Sequence, residues 1–316
     1  MSDLIRIPVG EGSPEGVNSA YLITEKDTIV DPGPPTQKAW NVLRSKLEER
    51  SIAFDDIDHV FVTHWHSDHA GLACRLAEET GATIHMHPSD APLVGDYTAA
   101  RERRLDRDVA TLRQWGVPET RRDALLDADS PSTMPETYPI ATHRDGEMVA
   151  GLEVLHTPGH TAGHVSLAVD ETLLLGDLLL PTYTPNVGGS DTRIDDPLAA
   201  YLSSIDRVNA RFEEGEPGHG TTMDVTRAVD EVRVHHRERA HAAFHALSTV
   251  NDPTPWAVAR DLFGEMCGIH AKFGAGEAAA HLDRLVALDI VERTGDDPIR
   301  YRPRVDDYPS NLRLMP

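Results

Sequence analysis

Apolar positions in the N-terminal half form short runs, typical of buried strands, that alternate with stretches of helical spacing. The predicted strands are 3–8, 20–24, 28–30, 59–63 and 82–86. Between them, residues 36–50 place Ala39, Leu43 and Leu47 on one face of a predicted helix. A second helix is predicted to begin at Gly71 and to end before Gly81. This alternation predicts an α/β fold with helices packed on sheet faces.

The middle of the chain carries a polar helical segment. Residues 90–130 are rich in Arg, Asp, Glu and Ala, and we predict a helical insertion there. Strands resume at 152–156, 165–169 and 172–175, and a helix is predicted over 197–213. Two interpretations of the insertion stay open: a lid over a site, or a solvated helical decoration.

The chain changes character near residue 223, where charged helical patterns replace the strands. We predict helices over 224–248, 255–263 and 277–288, and a hairpin that pairs 291–293 with 299–301. Helices followed by a short hairpin resemble a winged helix. The sequence therefore predicts two domains, 1–222 with the insertion, and 223–316.

The charge of the chain limits its partners. Its 316 residues carry 52 acidic and 30 basic side chains, a formal net charge of -22, and only four of the basic residues are lysines. An acidic, lysine-poor surface resembles the proteins of salt-accumulating halophiles. The same charge argues against general affinity for nucleic acid, which depends on cationic contacts to phosphate.

Cysteine usage and hydropathy favour a soluble cytoplasmic protein. The two cysteines, Cys74 and Cys267, are far apart and suggest neither a disulfide framework nor a cysteine metal site. No apolar run approaches the roughly 18 residues that a membrane span needs. Residues 1–6 show no signal-peptide pattern. We therefore expect cytoplasmic localisation and no membrane partner.

Metal-binding side chains cluster directly after the predicted strand 59–63. The run is Thr63-His64-Trp65-His66-Ser67-Asp68-His69-Ala70-Gly71. Imidazole nitrogen and carboxylate oxygen suit zinc, iron or manganese. A buried strand that ends in three imidazoles and a carboxylate is hard to explain by packing, so the cluster indicates a metal site.

Three further segments offer ligands, and two of them directly follow predicted strands. They are Thr157-Pro158-Gly159-His160-Thr161-Ala162-Gly163-His164, then Gly176-Asp177, then Gly218-His219-Gly220. Loops that leave the same edge of a sheet can converge on one point. We therefore expect all four segments to contribute to one site.

These four segments, in this order, closely resemble the metallo-β-lactamase superfamily and, more narrowly, its glyoxalase II-like hydrolases. The Asp31-Pro32-Gly33 turn also matches. The resemblance covers residues 1 to about 222 and implies an αββα sandwich. It is not complete, because the basic C-terminal residues with which glyoxalase II holds glutathione have no match here.

The resemblance implies a centre for two divalent metal ions, with zinc favoured and iron or manganese as alternatives. The implied ligands of the first ion are His64, His66 and His160; those of the second are Asp68, His69 and His219; Asp177 bridges both. Asp31, and with less support His164, would orient ligands from outside the first coordination shell.

The implied reaction is hydrolysis by a metal-bound hydroxide, most simply of a small thioester or ester, as in hydroxyacylglutathione hydrolase. Asp68 or a water would help to protonate the leaving group. Two alternatives share the first cluster of ligands. One is a metal-dependent endonuclease for single-stranded RNA; the other is a persulfide dioxygenase with a single iron.

The C-terminal region resembles the domain appended to the lactamase-beta-like group, which includes a single-stranded-RNA endoribonuclease. The predicted recognition helix, 276–285, has one arginine against two acidic residues, whereas a DNA reader needs a basic surface. We therefore expect a small-molecule substrate, disfavour duplex nucleic acid, and leave a homodimer open.

Overall fold

A computed structural model describes residues 3–10, 15–129, 131–251 and 253–315. The chain divides into two compact units. The first unit comprises Met1–Arg101, Pro131–Pro185 and Ser204–Val229, and the second comprises Glu102–Ser130, Asn186–Ser203 and Asp230–Pro316. Most of the predicted insertion therefore belongs to the second unit. Compact units are not the same as domains, so the domain boundary at residue 222 stays a prediction. The role of residues 90–130 as a lid also stays a prediction.

The first unit contains a six-stranded sheet whose strands follow one another in chain order. They are β1 (Leu4–Pro8), β2 (Ser19–Ile23), β3 (Thr28–Val30), β4 (His59–Phe61), β5 (Thr83–Met86) and β6 (Ile140–Thr142). Strands β1 to β3 pair antiparallel, and β3 to β6 pair parallel. Helical crossovers join the parallel strands, as parallel pairing requires: α1 (Gln37–Glu48) precedes β4, and α2 (Ser67–Ala70) and α3 (Ala73–Thr80) precede β5.

A second six-stranded sheet completes the first unit. Its strands are β7 (Met148–Val149), β8 (Leu152–His156), β9 (Val165–Val169), β10 (Thr172–Gly176), β11 (Glu214–Pro217) and β12 (Met223–Asp224), in the spatial order β12-β11-β10-β9-β8-β7. Only β10 and β11 pair parallel. The C-terminal ends of these two strands therefore lie at the same edge.

The inner strands β2 to β4 of the first sheet are buried on both faces, and this explains why they are mostly apolar. On one face, Leu22 packs in a core that includes Leu43 of α1. On the other face, Ile23 and Phe61 share a core with Leu167 of the second sheet. Helix on sheet on sheet is the predicted α/β layering, and it places the strand ends of both sheets next to each other.

The remaining helices are α4 (Pro92–Gly95), α5 (Tyr97–Gln114), α6 (Glu119–Ala128), α7 (Pro197–Asn209), α8 (Val225–Thr249), α9 (Pro255–Phe263) and α10 (Ile269–Ala287). In the second unit, the hairpin β13 (Val291–Asp296) and β14 (Ile299–Pro303) follows α10. The predicted order of helices and hairpin is present, and the winged-helix class stays a prediction. Within the described ranges, none of the helices has the length and apolarity to cross a membrane.

The predicted start of the last helix at residue 277 was wrong, because α10 begins eight residues earlier, at Ile269. Glycines are weak helix formers, and Gly274 and Gly276 lie in this first part. A Cβ on Gly276 would lie 2.3 Å from the Cα of Gly189. The glycine is thus required by close packing, which the sequence pattern does not show.

The shared core of the two sheets predicts a large cost for truncating Leu167, which is fully buried. We expect Leu167→Ala to lower the free energy of unfolding by roughly 2–5 kcal/mol, because the substitution leaves a cavity. Met148→Ala is the control: this side chain is 66% exposed, and the change should stay within about 0.5 kcal/mol. Urea unfolding at constant salt measures the free energy of unfolding of both variants. Equal losses would contradict the packing of Leu167 in the core shared by the two sheets.

Candidate metal centre

The four predicted segments meet at one place, where strands of both sheets end. The turn after β4 and helix α2 carry four of the candidate ligands. The β8–β9 loop supplies His160, and the ends of the parallel strands β10 and β11 supply Asp177 and His219. Seven side chains come together: His64, His66, Asp68, His69, His160, Asp177 and His219.

The first group of ligand atoms belongs to three imidazoles. Nδ1 of His66 lies 3.0 Å from Nε2 of His64 and 3.1 Å from Nε2 of His160. Two nitrogen ligands of one tetrahedral ion, each bound at 2.0–2.1 Å, lie about 3.3 Å apart. The three nitrogens are thus close to the spacing that one shared ion requires.

The second group combines two imidazoles with a carboxylate. Nε2 of His219 lies 3.3 Å from Nε2 of His69 and 3.3 Å from Oδ2 of Asp68. The same Oδ2 lies 3.5 Å from Nε2 of His69. These atoms form a second nitrogen and oxygen set of the kind that holds a divalent ion.

Asp177 lies between the two groups. Its Oδ2 is 3.9 Å from Nε2 of His64 and 3.8 Å from Nε2 of His160, while its Oδ1 is 3.4 Å from Nε2 of His69. Oδ1 is buried and has no hydrogen-bond partner among the described residues. A buried carboxylate oxygen without a donor is costly unless a cation faces it, so this oxygen fits a metal ligand.

Gly218 makes room for this arrangement. A Cβ at this position would lie 2.4 Å from Oδ1 of Asp177 and 2.6 Å from Cε1 of His69. These distances are far below van der Waals contact, so only glycine allows the backbone before His219 to approach the carboxylate. The Gly-His-Gly segment is therefore explained by close approach at the centre.

The buried carboxylate of Asp31 orients two ligands. Its Oδ1 accepts the backbone N–H of Thr63 at 2.8 Å, and its Oδ2 accepts the Thr63 hydroxyl at 2.7 Å and Nδ1 of His69 at 2.9 Å. Because the Thr63 hydroxyl donates its proton to Asp31, it accepts from Nδ1 of His64 at 3.0 Å. Both imidazoles therefore donate their Nδ1–H, and this turns Nε2 of each ring toward the centre.

His164 belongs to neither ligand group, and its ring supports the backbone of Asp177. Its Nε2 accepts the backbone N–H of Asp177 at 3.0 Å, and its Nδ1 bonds the hydroxyl of Thr157 at 2.9 Å. The ring is fully buried. It thus fixes the backbone that carries the carboxylate, and its role outside the coordination shell stays a prediction.

Two supporting residues were missed by sequence reasoning. Asn18 donates its amide to Oδ2 of Asp68 at 3.0 Å. Asp90 accepts from the Thr161 hydroxyl at 2.6 Å and from the Gly163 backbone N–H at 2.9 Å, and so holds the loop of His160. Asp90 follows the end of β5, and a carboxylate after a strand of the same sheet was the available signal. Asn18 gave none.

The charges of the centre favour metal binding by the first group. Burial lowers the pKa of His64 well below its ordinary value and that of His66 to about 3, with further lowering by neighbouring imidazoles. Both rings are neutral at neutral pH. Burial would raise the pKa of Asp177, but the imidazole of His69 outweighs it and the pKa is lowered. The carboxylate therefore stays ionised.

The second group behaves differently. Burial would lower the pKa of His69, but the carboxylates of Asp177 and Asp68 outweigh it and raise this pKa well above its ordinary value. The pKa of His219 is also raised, because its hydrogen bond to Asp68 outweighs burial. In metal-free protein the carboxylates therefore favour the protonated form of both rings, and an incoming cation competes with those protons.

Comparison with known proteins identifies the family. Residues 13–211 match the model of the metallo-β-lactamase superfamily. The chain belongs to this superfamily. The probable metallo-hydrolase YqjP of Bacillus subtilis is 26% identical over 301 residues, which cover 92% of this chain and 94% of that protein. As a metallo-β-lactamase superfamily member with metallo-hydrolase relatives, the protein is a metal-dependent hydrolase.

A solved structure shares the fold over nearly the whole chain. A metallo-β-lactamase family protein from Thermus thermophilus is 28% identical, has a TM-score of 0.75, and covers 95% of this chain and 98% of its own. A further relative is the atrochrysone carboxyl ACP thioesterase of Emericella nidulans, 23% identical over 224 residues. That match covers 70% of this chain and 56% of the thioesterase.

The hydrogen bonds of Asp31 predict that Asp31→Asn weakens metal binding by about 10- to 100-fold, the usual effect of losing an orienting carboxylate. Asparagine retains the shape but places a neutral amide beside Nδ1 of His69. Asp27→Asn is the matched control, since Asp27 is exposed. Competition with a chromophoric chelator measures both affinities, and equal values would refute the orienting role.

The raised pKa values of His69 and His219 predict proton release. Loading metal-free protein with Zn²⁺ at pH 7 should release protons, in particular that of His69, whose pKa lies well above its ordinary value. Release should decline as the pH rises through the raised pKa values, and metal affinity should increase over the same range. An indicator dye in weak buffer measures the release. His69→Ala should release fewer protons than the unaltered protein, and no release by the unaltered protein at pH 7 would contradict the assignment.

Proposed function

We propose that the protein is a dinuclear metal-dependent hydrolase that cleaves a small thioester or ester. The observation that carries the proposal is the division of the ligands into two groups, with Asp177 facing both. A single-ion site would need only one of these groups. The second group supports two ions per chain.

In the proposed centre, each group of three side chains would hold one ion, and Asp177, which faces both groups, would be a ligand that they share. His64, His66 and His160 would hold the first ion, and Asp68, His69 and His219 the second. We propose zinc as the native metal, because nitrogen and oxygen ligands without cysteine are typical of catalytic zinc sites. When bound, the two ions polarise the scissile carbonyl and make a water nucleophilic near neutral pH.

The chain's own residues orient the ligands and exchange protons with solvent. The side chain of Asp68 is 41% exposed, whereas that of Asp177 is 8% exposed. Asp68 is therefore the ligand carboxylate that substrate and bulk water reach most readily. This supports its predicted part in proton transfer to the leaving group, and Asn18 holds the carboxylate in place by its amide.

A thiolate mechanism receives no support from Cys74. This cysteine is buried, and burial, with the nearby carboxylate of Glu78, raises the pKa of its thiol to about 12. The thiol is protonated at neutral pH and is a poor nucleophile. Hydrolysis by a metal-activated water does not need it.

The thioester substrate class is supported by the relationship to an acyl carrier protein thioesterase. A bound acyl thioester offers a carbonyl oxygen to the metals and a thiolate as leaving group. We further propose a small-molecule substrate and a cytoplasmic, salt-adapted enzyme, which the net charge of -22 supports.

The proposal predicts two zinc ions per chain and hydrolysis of acyl thioesters at high salt. Asp177→Asn should reduce the rate by more than the roughly 100-fold that loss of an orienting partner causes, because it removes the shared ligand. Asp195→Asn, at an exposed position in the second unit, is the control and should leave the rate unchanged. Metal analysis measures the zinc content per chain, and assays with a panel of acyl thioesters measure the rate of each variant.

Two outcomes would contradict the proposal and select an alternative. One iron per chain with oxygen uptake would indicate a mononuclear dioxygenase. Cleavage of single-stranded RNA that Asp68→Ala abolishes, with all thioesters inert, would indicate a nuclease.

A further inference from the structure

Two imidazoles on one exposed helix face converge at the outer surface of the second unit. His241 and His245 are four residues apart on α8, so their side chains lie on the same face one turn apart. Their Nε2 atoms are 3.0 Å apart, and both side chains are exposed. This pair shares no residue with the metal centre.

Two other groups of hydrogen-bonded histidines outside the centre have a different form. His85 bonds His59 through Nε2 and His143 through Nδ1, so it hydrogen-bonds two neighbours in line. His281 accepts from His236 and donates Nδ1 to a backbone carbonyl in the buried interior. The pair on α8 differs because the same atom, Nε2, faces the partner from both rings.

The spacing of the pair, which is that of a hydrogen bond, is also compatible with two ligands of one metal ion. With metal–nitrogen bonds of 2.0–2.1 Å, nitrogens 3.0 Å apart subtend about 90° at the ion. That angle is the one between adjacent positions of a square-planar or octahedral ion such as Cu²⁺ or Ni²⁺. Two histidines four residues apart on a helix are also the spacing by which zinc-binding helices hold their metal.

A neighbouring aromatic ring restricts the His241 side chain before any ion binds. The ring of Tyr308 meets that of His241 edge-on, with centroids 4.9 Å apart, and also contacts Phe244 at 5.6 Å. A ligand held in one orientation loses less entropy on binding. The net charge of the chain, -22, raises the concentration of cations near its surface.

We propose that His241 and His245 form a second metal site, a bidentate surface chelate for a divalent ion with tetragonal preference. The protein supplies two imidazole nitrogens, and water fills the remaining positions. The site does not depend on the proposed hydrolase function, because it lies on a helix that provides no ligand of the catalytic centre.

Titration of the zinc-loaded enzyme with Ni²⁺ tests this site. Nickel is the probe because Cu²⁺, the stronger binder, would compete for the catalytic centre. We expect one Ni²⁺ per chain beyond the zinc already present. His241→Ala or His245→Ala should weaken this binding by roughly tenfold or more, since the second ligand no longer acts at high effective concentration. Hydrolase activity should not change.

His270→Ala is the matched control, because His270 is also an exposed histidine of the second unit. It should bind Ni²⁺ as the unaltered chain does. The proposal is overturned if the zinc-loaded enzyme takes up no Ni²⁺, or if uptake is the same in the His245→Ala variant. Equal losses in all three variants would also overturn it, because they would show additive binding to scattered histidines.

Discussion

The candidate metal centre depends on one buried carboxylate, that of Asp31. It accepts three hydrogen bonds, two from Thr63 and one from His69, and is 3% exposed. A carboxylate without water must be satisfied in this way. Since β3 and β4 are parallel neighbours, Asp31 and Thr63 leave the sheet side by side. One carboxylate thereby orients His64, through the Thr63 hydroxyl, and His69 directly, and these two rings belong to different ligand groups.

The two halves of the centre come from different sheets, so its geometry depends on how closely the strand ends approach. Gly176, at a φ of +55°, turns the chain after β10 so that Asp177 faces the imidazoles. A Cβ on this glycine would lie 2.7 Å from Nε2 of His164, which accepts the Asp177 backbone N–H. Glycine therefore provides both the turn and the space, and the hydrogen bond to His164 holds the backbone of Asp177 in place.

Much of the fold and site was predictable because strands and ligands leave strong local signals. Apolar runs such as 59–63 marked the strands, and ligand residues directly beyond them marked the site. The misplaced start of α10 shows the limit: Gly276 weakens the helical pattern, yet close packing against Gly189 requires it. Asn18 shows another limit of prediction from sequence, since a lone asparagine before a strand has no feature that points to Asp68.

The sequence by itself determined the α/β class, the superfamily and the seven residues that meet at the centre. The α/β class follows from hydrophobic periodicity, and the seven residues follow from the resemblance of their motifs to the superfamily. Only the tertiary structure decided which atoms face each other: Asp177 between two groups, Asp90 bonded to the loop of His160, and Asn18 bonded to Asp68. These contacts join residues far apart in the chain, and their distances depend on packing that no local pattern encodes.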